Sequence, residues 1–161
     1  MALNPQYAEI GKGFVQQYYA MFDTPANRPL LANLYNAETS FMTFEGIQIQ
    51  GAVKIMEKIN ALTFQKINRA ITSVDSQPMF DGGVLINVLG RLQTDDDPPH
   101  TYIQTFILKP IGVSFYVEHD IFRLCDDDPP HMYMQTFVLK PLDTSFFVQH
   151  DIFRLGIHDT A

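Results

Sequence analysis

The order of hydrophobic patterns along the chain predicts an α+β fold, with helices packed on one face of a curved antiparallel sheet. Three observations carry the prediction. Apolar residues recur at helical spacing through most of the first 62 positions, and long β-branched and aromatic runs take over from Phe64. The last of those runs is then written twice: Thr94 to Leu124 reads TDDDPPHTYIQTFILKPIGVSFYVEHDIFRL, Cys125 to Leu155 reads CDDDPPHMYMQTFVLKPLDTSFFVQHDIFRL, and 22 of the 31 positions are identical without a gap. Each copy holds two apolar runs parted by Lys-Pro and a short loop, the pattern of one β-hairpin. A solenoid needs about three repeats to bury a continuous core, and nothing like this segment precedes Thr94. The chain therefore reads as one sheet plus an extra C-terminal hairpin.

Asn4-Pro5 opens the first helix with a capping residue and a proline suited to the first turn. Ile10, Phe14, Tyr18 and Phe22 follow at four-residue spacing, widened by Val15 and Tyr19, so one face is aromatic and the helix stops at Asp23. Thr24-Pro25 repeats the start signal for a shorter helix through Leu30, Leu31, Leu34 and Tyr35. FMTFEGIQIQG, from Phe41, turns at Glu45-Gly46 as a tight hairpin, and Ile55, Met56, Ile59 and Leu62 make a third helical stripe with Lys54, Glu57 and Lys58 outward. Phe64 to Val74 and Gly83 to Leu92 read as two long strands, separated by Gln77-Pro78 and the turn Asp81-Gly82-Gly83. In the first hairpin copy the strands are Tyr102 to Leu108 and Phe115 to Leu124; the Asp-Asp-Asp-Pro-Pro elements are loop punctuation.

Charge narrows the partners. The net charge is -7, yet residues 1–93 carry seven acids and seven bases, so the imbalance lies wholly from Thr94 onward, densest at Asp95-Asp96-Asp97 and Asp126-Asp127-Asp128. Such runs repel phosphate backbones and argue against nucleic acid, while a basic protein partner suits them. No apolar run approaches the roughly 18 residues of a membrane span, and the N-terminus lacks a signal-peptide pattern. The single Cys125 allows no internal disulfide. A cytosolic or nuclear protein, not inserted in a membrane, is the expectation.

No phosphate-binding loop, nucleophile elbow or zinc-protease motif occurs. His119-Asp120 and His150-Asp151 are neighbours on strands, so the paired side chains point to opposite faces, and His100 with His119 lacks a third metal ligand. Neither a catalytic group nor a metal or cofactor is expected. Taken alone, the aspartate runs are solvated loops that keep a sheet edge soluble. The aromatic stripe of the first helix, Met42 and Met56 are core, as is Phe44 without further information.

Several strings, however, resemble the nuclear transport factor 2 family: FVQQYYAMFD in the first helix, MTFEGIQIQG in the first hairpin, LTFQKI before the long strands, GRLQTDDDPPH, and HDIFRL with GIHDTA at the end. The resemblance spans Asn4 to Leu124 and resumes in the second copy to the terminus. It implies a cone-like fold with a strongly curved sheet, a deep apolar cavity, a homodimer formed through the sheets, and no catalysis. It also implies carriage of GDP-bound Ran through the nuclear pore, hence residence in cytoplasm, nucleus and nuclear envelope. An aromatic side chain of Ran would enter the cavity while rim acids pair with its basic residues. By the match the rim acids are Glu45, Asp95 and Asp97, with Leu62 and Phe64 near the mouth, and Ile121 and Phe122 at cavity and dimer positions. Phe44 stands where the family often has tryptophan, which keeps an aromatic surface without the N–H donor. It is also the candidate contact for phenylalanine-glycine nucleoporins.

Two other classes remain open. Related cones host isomerases and dehydratases, for which Tyr18, Tyr19 and Asp23 would be the only candidates here. The duplicated hairpin could also make the chain an adaptor or an inactive isoform, two alternative coding segments translated together. Residues 1–124 are expected to form the domain and 125–161 the added copy with the tail. The first copy should take the sheet position, leaving the second as an appendage with Phe137, Phe146, Phe147 and Ile152 exposed, able to cover the cavity mouth or the dimer face.

Overall fold

A computed structural model describes residues 3–126 and 130–158. Helix α1 (Tyr7–Phe22) forms where the aromatic stripe predicts it and buries Val15, Tyr18, Tyr19 and Phe22. Asn4 stands two residues before the N-cap residue Gln6, its Oδ1 accepting the Gln6 N–H at 2.9 Å, and Asp23 ends the helix. The second helix is a 3-10 turn, Arg28–Leu34, with Leu31 buried, and α2 (Ala52–Asn60) buries Ile55, Met56 and Ile59. The tight hairpin is β1 (Phe41–Phe44) and β2 (Ile47–Gln50), whose corner holds Glu45 at φ 50° and Gly46 at φ 84°, the left-handed pair that matches strand twist.

Four long strands follow: β3 (Ile67–Pro78), β4 (Val84–Thr94), β5 (His100–Ile111) and β6 (Ser114–Cys125). They join the first hairpin in one six-stranded sheet of order β2-β1-β6-β5-β4-β3. Every pairing is antiparallel except β1 on β6, which is parallel, so the sheet departs at one joint from the antiparallel expectation. Strand β3 starts later than Phe64 because the N–H groups of Gln65 and Lys66 donate to the Asp95 carboxylate, at 3.1 and 3.0 Å, instead of to a strand. It also runs on to Pro78, which an edge strand tolerates because no ladder bond is lost.

Alternation along the strands decides which face each side chain takes. Val84, Ile86, Val88, Tyr102, Phe106 and Leu108 pack under α1, while Leu85, Asn87 and Leu89 point to the opposite, outer face. Gly90 lies opposite Tyr102 in the ladder, and a Cβ there would stand 2.6 Å from the Tyr102 ring and 2.7 Å from the Ala70 carbonyl oxygen. Only glycine lets the tyrosine lie flat over the strand.

The first hairpin copy is β5–β6 and completes the sheet; the second, β7 (Tyr133–Leu142) and β8 (Ser145–Leu155), forms a separate two-stranded sheet. The second copy rests on the outer face, where Ile152 joins Met79 and Leu85, flanked by Ile107 and Val138. The turn of the first copy uses Gly112 at φ 60°, and the second uses Asp143 at φ 52°, a residue type that accepts this conformation. Phe137, Phe146 and Phe147 are exposed as expected, but Ile152 is 6 % exposed and not on the free face. The reason is alternation: docking by one face buries Ile152 and leaves the other face bare.

Candidate functional site

A cavity of about 450 Å³ opens between α1, the end of α2 and the concave side of the sheet. Each wall residue is placed by local periodicity. Helix α1 supplies Tyr18, Tyr19 and Phe22; β1 supplies Met42 and Phe44 two residues apart on one face; α2 and the turn after it supply Ile59, Leu62 and Phe64. The far wall comes from alternate positions Ile67 and Arg69, Leu92 and Thr94, and Phe122 and Leu124, with Gln104 between. Tyr18, Tyr19, Met42, Ile59, Leu92, Gln104 and Phe122 are buried, whereas Asp97, Pro98, His100 and Leu124 are exposed and form the rim. The helix aromatics and Met42 are therefore cavity wall as well as core, more than the stripe alone indicates.

The wall is stiffened by ring contacts. Phe44 stacks on Phe122 with centroids 4.9 Å apart and planes at 14°, and Lys58 Nζ lies over the Phe44 ring, 5.2 Å from its centroid. Phe122 in turn stacks on Tyr102 at 5.8 Å. Arg69 is buried in the wall, its guanidinium 3.8 Å from the Tyr19 ring centroid and fastened to Asp23 through Nη2–Oδ1 at 2.8 Å. Burial by itself pulls the Arg69 guanidinium down, but the hydrogen bonds to Asp23 prevail and hold it above its ordinary value, so it stays cationic. Arg28 closes the neighbouring corner by donating from Nε to the Phe22 carbonyl at 2.9 Å.

Behind the wall lies a fully buried carboxyl, Asp120. Its Oδ2 accepts hydrogen bonds from Tyr35 at 2.8 Å and Tyr18 at 3.3 Å, and its Oδ1 accepts from Gln104 Nε2 at 2.8 Å. The Gln104 oxygen in turn accepts from the Tyr19 hydroxyl at 2.8 Å. Burial pushes Asp120 up to about 6 against the downward pull of those donors, and burial together with the Asp120 charge raises the Tyr18 and Tyr35 phenols well above their ordinary value. Held by these neutral donors, the fully buried carboxyl ties α1 to the sheet and is not part of the cavity lining.

The residues assigned from the sequence fall into three places. Phe44, Leu62, Phe64, Asp97 and Phe122 line the cavity together. Glu45 and Asp95 stand on turns outside its lining: the Glu45 carboxylate accepts the Leu124 N–H, and Asp95, at φ 51°, holds Gln65 and Lys66. Ile121 points to the outer face and is 49 % exposed there. Arg69, Gln104, His100 and Asp120 were not singled out as cavity residues from the sequence. Arg69 follows Ile67 at strand alternation, which places it on the cavity face. Asp120 likewise sits two residues before Phe122, but its tyrosine partners come from distant segments.

Residues 10–124 match the model of the nuclear transport factor 2 (NTF2) domain. The chain is 44 % identical over 128 residues to a probable nuclear transport factor 2 of Caenorhabditis elegans, covering 77 % of this chain and 96 % of that protein. It is 45 % identical over 117 residues to nuclear transport factor 2 of Saccharomyces cerevisiae, covering 71 % and 91 %. Among solved structures, nuclear transport factor 2 of Cryptosporidium parvum superposes with a TM-score of 0.73 at 43 % identity, covering 78 % of this chain and 99 % of that one.

Proposed function

Because the chain belongs to the nuclear transport factor 2 domain family, whose work is nuclear transport and protein import, we propose that it carries GDP-bound Ran into the nucleus and enters the pore by binding phenylalanine-glycine nucleoporins. It then moves between cytoplasm and nucleus, passing the envelope at the pore. The observation that carries this reading is the open cavity with aromatic walls and an exposed acid, Asp97, at its rim. A pocket of this size takes one aromatic anchor, and the acid orients a basic partner around it. Asp97, Phe44, Leu62, Phe64 and Phe122 make the direct contacts in this reading, Glu45 and Asp95 complete the acidic rim from adjacent turns, and Ile121 serves the outer face. Phe44 is the candidate for the nucleoporin contact.

Residues 1–124 are the working unit in this reading, and 125–161 the added copy. Among the described residues, nothing beyond Leu124 lines the cavity. The homodimer implied by the resemblance would form through the outer sheet face, which the second copy covers in this chain. A small-molecule enzyme is the weaker reading: Asp23 is bound to Arg69, and Asp120 accepts three hydrogen bonds, so neither carboxylate is poised as a base. No catalysis is proposed.

The immobilised full-length chain should retain GDP-bound Ran, and Asp97→Lys should weaken retention by roughly tenfold, about 1.4 kcal/mol, without moving the melting temperature. Retention unchanged by that charge reversal would remove Asp97 from the interface. No retention by the parent chain would overturn the assignment.

A further inference from the structure

The bare face of the second hairpin copies a surface whose occupant the same chain displays. In β5–β6 three cross-strand pairs share the inner face: Tyr102 with Leu124, Gln104 with Phe122, and Phe106 with Asp120. Strands β7 and β8 repeat them in the same register as Tyr133 with Leu155, Gln135 with Phe153, and Phe137 with Asp151. All six residues are identical between the copies. The finer geometry is kept as well. Tyr133 stacks on Phe153 at 5.6 Å, as Tyr102 does on Phe122 at 5.8 Å, and Gln135 Nε2 donates to Asp151 Oδ1 at 2.8 Å, as Gln104 does to Asp120.

In the first copy this surface is covered by one side of α1. Phe14 and Tyr18 set their rings against Phe106, with centroids 5.1 and 4.9 Å apart, and Tyr19 meets Tyr102 edge-on at 6.0 Å. The Tyr18 hydroxyl donates to Asp120 Oδ2, and the Tyr19 hydroxyl donates to the Gln104 oxygen. An aromatic residue with tyrosines four and five positions on is thus the complement of the three pairs. In the second copy the same groups are open. Tyr133, Phe137, Phe153 and Leu155 are between 50 and 62 % exposed. Gln135 and Asp151 are exposed too, and the Asp151 oxygen that matches Asp120 Oδ2 has no donor among the described residues. A contiguous apolar patch around an unfilled polar pair marks an interaction surface. The chain's own α1 is held in the main core and leaves it bare.

We infer that the bare face of β7–β8 docks an amphipathic helix of a partner protein, one that presents an aromatic residue followed four and five positions later by tyrosines, in the manner of α1. Its rings cover Tyr133, Phe137 and Phe153, and its hydroxyls complete the Gln135–Asp151 pair. The duplication thereby adds a binding face that a single hairpin lacks, because the inner face of β5–β6 is taken by α1. This assignment is independent of what the cavity carries.

A fluorescein-labelled peptide of residues 5–23, stapled between positions 12 and 16, which are exposed in α1, supplies the helix. Its anisotropy should rise to saturation on titration with the full-length chain. Phe137→Glu should weaken binding by about tenfold and leave the circular dichroism and melting temperature in place, since that side chain is half exposed. Asp151→Ala in the chain and Tyr18→Phe in the peptide should each weaken it by about fivefold, and together by no more than either alone, because both remove the same hydrogen bond. Absence of saturable binding would overturn the proposal, as would binding that Phe137→Glu leaves unchanged. Losses that simply multiply would show adhesion without the register of α1 and would overturn it too. Light scattering of the chain alone covers the remaining occupant: an oligomer that Phe137→Glu dissociates would place a second copy on this face instead of a partner helix.

Discussion

Asp23 ends helix α1 and at the same time grips Arg69 of β3, through Nε–Oδ2 at 2.9 Å and Nη2–Oδ1 at 2.8 Å. The pair fastens the helix to the sheet edge beside the cavity, with the Arg69 side chain only 6 % exposed. Removing one partner of such a pair strands a charge away from water. Asp23→Ala should therefore lower stability to urea by about 3 kcal/mol, and Asp23→Ala with Arg69→Met should lower it less than the single change does.

Asp120 sets a pH dependence of definite sign. Its carboxyl keeps its proton up to about 6 in the folded chain, while an unfolded aspartate ionises near about 4. Folding thus favours the protonated form: its contribution is whole below about pH 4, is lost as the pH rises towards 6, and stays lost above. The difference in melting temperature between the parent chain and Asp120→Asn should change sharply between pH 4 and 6 and be flat on either side. A constant difference across that range would count against the buried, proton-retaining carboxyl.

Asp95 and Asp97 should separate in a stability assay although both lie on the same acidic loop. Asp95 holds two backbone N–H groups and adopts φ 51°. Asp95→Ala loses both bonds and places alanine in left-handed backbone, and should cost about 2 kcal/mol in urea denaturation. Asp95→Asn should recover most of that, because the amide oxygen still accepts and asparagine tolerates the conformation. Asp97→Ala should leave stability within about 0.5 kcal/mol, as expected for an exposed side chain.

Gly90→Ala should be the most damaging small change in the sheet. Its Cβ meets a backbone oxygen as well as the Tyr102 ring, so no rotamer change relieves it. A loss of about 3 kcal/mol by thermal or urea unfolding is expected.

How much of this was legible beforehand follows from the range of each interaction. The stripe from Ile10 to Phe22, the Glu45-Gly46 corner and the repeated hairpin are patterns within a few residues of each other, and each became the element its spacing indicated. The limits of β3 were not legible, because they depend on Asp95, 29 and 30 residues away from the amides it holds. The cavity was legible as a list of residues only through family resemblance. Met42 and Tyr18 read locally as core, and only the concave closure of sheet and helix makes them wall.

The sequence by itself determined the helices, the hairpins and the family, since periodicity, turn chemistry and long matching strings are properties of neighbouring residues. It determined too that two hairpins of one kind compete for one sheet. Tertiary structure alone decided the outcome. Identical alternation serves two opposite faces, so Phe106 is buried while Phe137 is bare, and Ile152 is buried while Ile121 is bare. Which face a strand turns inward depends on what packs against it. Helix α1 packs on the inner face of the first copy, and the outer face of the sheet receives the second.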